Sequence, residues 1–247
     1  MQPVDIALDA ALLVIRSGGT TAAAERTFSN ILKGFGREPV AAVWRVDFVA
    51  ITNPGLGSAP SLVRPVGPIG VNLARAFEVA NLGERVAAGA IPVAAVGAEV
   101  ERIGGLPSPY NRWLLVLVAA VMAACFSRIP GGDWGSFGIA FVAAGAGQFV
   151  RASLEPRRLP IAYVTLICGV VSALIAAAGV RAGLSQTEPP AMAASVVYVI
   201  PGLALINGFM DVTSHRFLLV GVERMISAGF LFVILAIAIA FALATFG

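Results

Sequence analysis

Residues 201–211 read Pro-Gly-Leu-Ala-Leu-Ile-Asn-Gly-Phe-Met-Asp and place a helix breaker, an amide and a carboxylate in an otherwise apolar stretch. Proline removes a backbone donor and glycine loosens the helix, so Pro201–Gly202 predicts a kink or break that lines a cavity. Asn207 and Asp211 are four residues apart and share one helical face. A carboxylate at membrane depth costs on the order of 2.5 kcal/mol, which favours a functional site. The alternative, that Asp211 lies at the interface and Pro-Gly only shapes packing, stays open.

The composition indicates a membrane protein. Of 247 residues, 58% are hydrophobic and 13% are charged, against a usual charged share of about 25%. Residues 1–112 hold ten of the 17 basic and nine of the 14 acidic residues. We therefore expect a polar domain over residues 1–110 and a membrane domain over residues 111–247. The net charge of +3 is small and the arginines form no run, so nothing indicates a nucleic-acid partner.

Helices are predicted throughout the polar domain. Apolar residues recur at helical spacing over residues 4–15, and Thr20 or Thr21 can cap a second helix. Asn72 and Pro92 can open two more.

The same domain has weaker signals for strands. Alternation over residues 40–50 predicts one half-buried strand, Asn53-Pro54-Gly55 predicts a turn, and residues 62–71 predict a short or edge strand. Together these elements predict a small α/β domain. It contains no nucleotide-binding loop, metal cluster or catalytic triad, and the single histidine, His215, lies outside it. We therefore predict no enzyme activity, metal or cofactor.

The membrane domain has five apolar stretches that can each cross a bilayer core of about 30 Å. They are Trp113 to Ile129, Trp134 to Val150, Pro160 to Val180, Ala191 to Asp211 and Phe217 to Phe246. The sequence therefore predicts an α-helical polytopic membrane protein with five transmembrane helices. Small residues within the stretches, such as Ala140 with Ala144 and Gly169 with Ala173, predict close helix packing.

The loops between these stretches set the orientation. One set of alternate loops carries Arg112, Arg151, Arg157, Arg158 and Arg216, and the other set carries Arg128 and Arg181. Because positive residues stay inside, the α/β domain is expected in the cytoplasm and the C-terminus outside. The expected location is the inner membrane of the cell.

Four stretches resemble the threonine/serine exporter family, in the half that holds its cytoplasmic domain and first five spans. They are Arg16 to Thr27, Asn72 to Ile103, Pro130 to Trp134 and Pro201 to Asp211, the last of which continues to Gly221 and Arg224. The sequence departs from the family pattern around Ala22 and Ala23, where family members carry an aromatic and a basic residue.

The resemblance implies secondary export of small polar metabolites, either threonine and serine or dicarboxylates such as succinate. It also implies a hetero-oligomer, in which a second small multi-span membrane subunit supplies the other half. The alternatives are a membrane-anchored enzyme and a structural or regulatory subunit that does not transport.

Arg224 completes the set of candidate transport-path residues, Pro201, Gly202, Asn207, Asp211 and Arg224. With Glu223 it stands about two turns into the last apolar stretch, where it could balance Asp211 or hold an anionic substrate. If the helix enters the bilayer only after Met225, both charges lie at the cytoplasmic surface instead. The sequence leaves these two readings equal.

Overall fold

The computed structural model describes residues 2–38, 40–52, 61–157 and 159–246. The predicted turn at Asn53–Gly55 and the orienting residue Arg158 lie outside these ranges. By internal packing the chain forms two units, one of residues 1–109 with 202–226 and the other of residues 110–201 with 227–247.

The first unit begins with α1 (Pro3–Arg16) and α2 (Thr21–Gly34). Strands β1 (Ala42–Trp44), β2 (Phe48–Thr52) and β3 (Ser61–Pro65) follow as an antiparallel sheet in the order β1-β2-β3. Helices α3 (Leu73–Ala87) and α4 (Val96–Gly104) complete the N-terminal part. The predicted caps are present, because the Thr20 side chain accepts from Ala23 N–H and the Asn72 side chain from Arg75 N–H.

The prediction of one strand over residues 40–50 is wrong. The chain turns after Trp44, where Arg45 N–H donates to Phe48 O, and returns as β2. The buried residues also differ in register on the two sides of the turn. Even-numbered Trp44 is buried in β1, whereas odd-numbered Val49 and Ile51 are buried in β2. Period-two alternation continues on both sides of the turn, so the pattern alone does not reveal it.

The core of the first unit lies between α1, α2, α3 and the sheet. Its largest fully buried side chains include Leu8 and Leu12 of α1, Phe28 of α2, Ile51 of β2 and Leu82 of α3. The unit also contains α9 (Gly202–Thr213) and the start of α10 (Leu218–Phe246). Residues that the sequence assigns to the membrane domain thus pack in one unit with the N-terminal elements.

The second unit contains α5 (Arg112–Arg128), α6 (Trp134–Leu154), α7 (Ile161–Arg181), α8 (Glu188–Ser195) and the rest of α10. Its helices pack through small side chains, as predicted: Ala140, Ala144, Gly169 and Ala173 are all buried. A buried polar pair crosses this core, where Ser172 Oγ lies 3.0 Å from Tyr198 Oη.

Three helical segments of the described chain are long and apolar enough to cross a membrane, namely Trp134–Arg157, Ile161–Arg181 and Leu218–Phe246. The pair Glu188–Val199 and Gly202–Thr213 adds a fourth if it is counted as one broken span. Helix α5 has 17 residues, which is at the short limit for spanning. The chain is therefore a helical membrane protein, and the count of five spans stays a prediction.

The predicted stretch Ala191 to Asp211 is not one continuous helix. After α8, a 3-10 turn covers Val197–Val199, Ile200 has an extended backbone, and α9 starts at Gly202. The break falls at Pro201–Gly202, where the sequence predicts it. Proline is favourable next to a helix start because the first turn leaves its N–H groups unpaired anyway.

Candidate functional site

Asp211 is the centre of a buried polar cluster in the first unit. Its Oδ2 accepts a hydrogen bond of 2.8 Å from Thr21 Oγ1 and lies 3.0 Å from Arg224 Nη1. The side chains of Asp211 and Arg224 are only 2% and 8% exposed. Each charge therefore depends on the other, because an unpaired charge in such a place pays its full desolvation penalty.

Asn207 extends the cluster by one helical turn. Its side-chain amide donates to Gly18 O at 3.0 Å, and Asn207 is itself buried. Helix α9 thus presents an amide and a carboxylate on one face, as their four-residue spacing predicts. This face meets the turn between α1 and α2.

The glycine turn between α1 and α2 makes this approach possible. Gly18 has φ +89°, and a Cβ atom there would lie 2.8 Å from Leu203 Cδ2. An L-residue is strained in this conformation, and its Cβ atom would also displace the end of the Leu203 side chain of α9. The turn therefore places the Gly18 carbonyl against Asn207 and the first turn of α2 against Asp211.

A second close approach brings Arg224 to Asp211. A Cβ atom on Gly221 would lie 2.6 Å from Val212 N and 2.7 Å from Gly208 O. Helices α9 and α10 therefore meet at backbone distance just before Arg224. This contact explains why a long cationic side chain on α10 can be buried beside the carboxylate of α9.

Two more ion pairs tie the start of α10 and the preceding loop to the N-terminal elements. Arg216 Nη2 lies 2.6 Å from Glu25 Oε1 on α2, and Arg45 pairs with Glu223. The Val46 N–H also donates to Glu223 Oε2 at 3.2 Å. Glu223 and Arg224 thus serve different contacts although they are adjacent, the first at the tip of the β1–β2 hairpin and the second inside the cluster.

The structure brings Asn207, Asp211 and Arg224 into one cluster and leaves Pro201 and Gly202 outside it, at the helix break where α9 begins. Sequence reasoning missed Thr21 and Gly18 as members. Both lie in the stretch Arg16 to Thr27 that carries the family resemblance, and that was the available signal.

Another stretch of the resemblance, Pro130 to Trp134, has a local structural role in the second unit. Asp133 caps α6 through Ser136 N–H at 2.6 Å, and it accepts from Ser185 Oγ and Gln186 N–H at 2.7 Å each. These hydrogen bonds, led by that from Ser185, hold the pKa of Asp133 well below its usual value. The carboxylate therefore joins the start of α6 to the loop before α8.

The apolar helices and the buried ion pair on a broken helix define the class of the chain, a polytopic membrane protein. A model of the family described as "Putative threonine/serine exporter" matches residues 5–246. The chain belongs to this family, whose members are transporters.

The chain is similar to several curated relatives. It is 25% identical over 207 residues to the probable succinate transporter subunit YjjP of Klebsiella aerogenes, covering 83% of this chain and 80% of that protein. The protein of the same name from Escherichia coli is 24% identical with the same coverage. A probable threonine/serine exporter of Mycobacterium tuberculosis is 21% identical over 231 residues, which are 92% of this chain and 43% of that protein. No solved structure matches the chain.

Proposed function

We propose that this chain is one subunit of a secondary exporter that moves small polar metabolites across the cytoplasmic membrane. The observation that carries the proposal is the Asp211–Arg224 ion pair, in which both side chains are almost fully buried. Asp211 lies on α9, the helix that follows the break, and Arg224 lies near the start of α10. Ionisable residues in membrane helices default to a functional role because burying them is costly. Broken helices of transporters commonly hold the substrate or coupling ion.

The chemistry of the cluster suits a substrate with a carboxylate. A zwitterionic amino acid such as threonine or serine can offer its ammonium group to Asp211 and its carboxylate to Arg224. A dicarboxylate such as succinate depends on Arg224 and requires Asp211 to be neutral. The names of the relatives contain both substrate classes, and both belong to the proposal.

A second small multi-span membrane subunit is part of the proposal. It is supported by the word "subunit" in the names of two relatives and by the two repeats or bundles that alternating access commonly needs. With five spans, the arginine distribution supports residues 1–110 in the cytoplasm and the C-terminus outside.

The test compares Asp211→Asn, Asp211→Ala and Arg224→Gln at matched membrane abundance, with the partner subunit present. Efflux of preloaded threonine, serine and succinate is measured. Loss in Asp211→Asn indicates a charge or proton role, whereas loss only in Asp211→Ala indicates a neutral hydrogen-bonding role. Export of all substrates at the unmodified rate by all three variants would show that the cluster is structural. Export by the purified chain alone in liposomes would contradict the subunit proposal.

A further inference from the structure

One face of α2 makes successive contacts with the end of α9 and with the segment that joins α9 to α10. Thr21, Glu25 and Ser29 follow each other at four-residue spacing and share this face. Thr21 binds Asp211, and Glu25 binds Arg216. The contacts change along α2 from a fully buried polar cluster to a partly exposed ion pair.

A cavity of about 320 Å³ opens beside the partly exposed Glu25–Arg216 ion pair, which is the outer of the two pairs. Its lining residues are Ala22, Glu25, Arg26, Ser29, Arg216 and Phe217, all of which belong to the first unit. The volume is at the lower end of the about 300–1,000 Å³ of small-molecule sites. The lining combines one carboxylate, two guanidinium groups, one hydroxyl group and an aromatic ring.

We propose that this cavity is an outer loading site for a zwitterionic hydroxy-amino acid, one helical turn from the buried cluster. The proposal rests on the export function above and narrows its substrate class. The ligand carboxylate binds Arg216, its ammonium group binds Glu25, and its hydroxyl group meets Ser29. The ligand thereby exchanges the internal ion pair for two intermolecular ones.

Exposure makes the outer pair easier to exchange than the inner one. The Arg216 side chain is 71% exposed and that of Glu25 is 16% exposed, and ion pairs of this kind contribute little stability. The Asp211–Arg224 pair is nearly dry, so separating it exposes two unpaired buried charges. Arg216 also lies over the Phe217 ring at 5.7 Å, which favours one orientation of the guanidinium group.

Glu25 decides between the two substrate classes. It lies beside Arg216, so a dicarboxylate bound to Arg216 would meet a negative charge at its other end. An amino acid presents a positive charge there instead. The same geometry predicts that a neutral residue at position 25 leaves Arg26 and Arg216 together and converts the cavity into a dicarboxylate site.

The experiment is calorimetric titration of the full chain, purified in detergent, with L-threonine, L-serine and succinate. We expect saturable threonine and serine binding with a Kd on the order of 1 mM and much weaker succinate binding. Glu25→Gln should weaken threonine binding at least about tenfold and strengthen succinate binding. Arg216→Gln should weaken the binding of all three ligands. The matched control is Glu99→Gln, which breaks the exposed Glu99–Arg102 pair of 2.7 Å on α4, away from the cavity.

A purely structural ion pair would respond differently. Glu25→Gln and Arg216→Gln would then lower the thermal unfolding midpoint alike and would not change the preference between threonine and succinate. If either charge variant fails to fold, Ser29→Ala provides the test because it removes only a hydroxyl group. It should weaken threonine binding several-fold and leave unchanged the binding of L-alanine, a ligand without a hydroxyl group.

Absence of saturable threonine binding to the unmodified chain, or unchanged preference in Glu25→Gln, would overturn the loading site. Efflux with the partner subunit present separates this result from a failure of the export function. Threonine efflux without binding at the cavity rejects the loading site alone. Binding that follows the expected pattern, without efflux of any substrate, supports the site and rejects the export function.

Discussion

Thr21 Oγ1 donates a hydrogen bond of 2.8 Å to Asp211 Oδ2 across 190 positions of sequence. Both residues are buried, and the carboxylate also pairs with Arg224. The first turn of α2 therefore supplies one of the groups that stabilise the charge of Asp211. The N-terminal part of the chain contributes directly to the candidate site.

This contact predicts that Thr21→Val impairs the protein whereas Thr21→Ser does not. Valine keeps the shape of threonine but removes the donor, and a hydrogen bond to a charged group contributes about 1.5–3 kcal/mol. We expect a lower thermal unfolding midpoint and reduced efflux with the partner subunit present. The matched control is Thr27→Val, because Thr27 is equally buried on α2 but donates only to Ala23 O of its own helix. Equal effects of the two valine substitutions would contradict a specific role for Thr21.

The cluster shows how far the sequence could lead. The shared face of Asn207 and Asp211 and the break at Pro201–Gly202 follow from helical spacing and proline chemistry, which are local properties. Thr21 could be predicted only as a helix cap, because its partner is distant in sequence. The spacing of apolar residues and the composition of a segment carry no information about which remote element packs against a given face of a helix.

The prediction of a single strand over residues 40–50 is wrong for the same reason, because local sequence does not reveal remote contacts. Alternation across residues 40–50 satisfies a single strand as well as two strands with a turn, and Arg45–Asp47 contains neither glycine nor proline to mark the turn. Its contacts come from elsewhere, since Arg45 and the Val46 N–H both bind Glu223 of α10. Tertiary contacts thus hold a turn that the local sequence does not indicate.

A double-mutant cycle should show strong coupling between Asp211 and Arg224. Removing one partner of a buried ion pair costs about 3–5 kcal/mol, because the other charge stays buried and unpaired. We expect Asp211→Asn and Arg224→Gln each to lower the unfolding midpoint in detergent, and the double variant to recover much of the loss.

The control cycle uses Asp5 and Arg64, which are 2.8 Å apart but have side chains 25% and 38% exposed. Such a pair is expected to couple by no more than about 1 kcal/mol. Additive effects of Asp211→Asn and Arg224→Gln would show that the two charges do not depend on each other.

Asp133 should make the second unit sensitive to acid. Its pKa in the folded chain is lower than the ordinary value of 3.8, so the carboxylate contributes stability above the unfolded-state pKa and loses it as the pH falls towards the folded-state pKa. We expect Asp133→Asn to lower the unfolding midpoint most near neutral pH, with a difference from the unmodified chain that shrinks below about pH 4. Ser185→Ala removes the largest contributor to the shift and should show a smaller effect with the same pH dependence. A difference that is constant from neutral pH to pH 3 would contradict this origin.

Two glycines of α10 offer a matched test of the helix contact that positions Arg224. A Cβ atom at Gly221 would lie 2.6 Å from Val212 N, whereas a Cβ atom at Gly229 would meet nothing within 4 Å. Because the obstacle at Gly221 is backbone, α9 must shift to admit a methyl group, and such overpacking costs about 1–3 kcal/mol. Gly221→Ala should therefore lower the unfolding midpoint and, by separating Arg224 from Asp211, reduce efflux.

Gly229→Ala should be neutral or stabilising, since alanine is favoured over glycine in a helix by about 1 kcal/mol. The same substitution thus acts with opposite sign eight residues apart. If both variants have the same unfolding midpoint and efflux rate, close contact between α9 and α10 does not position the ion pair.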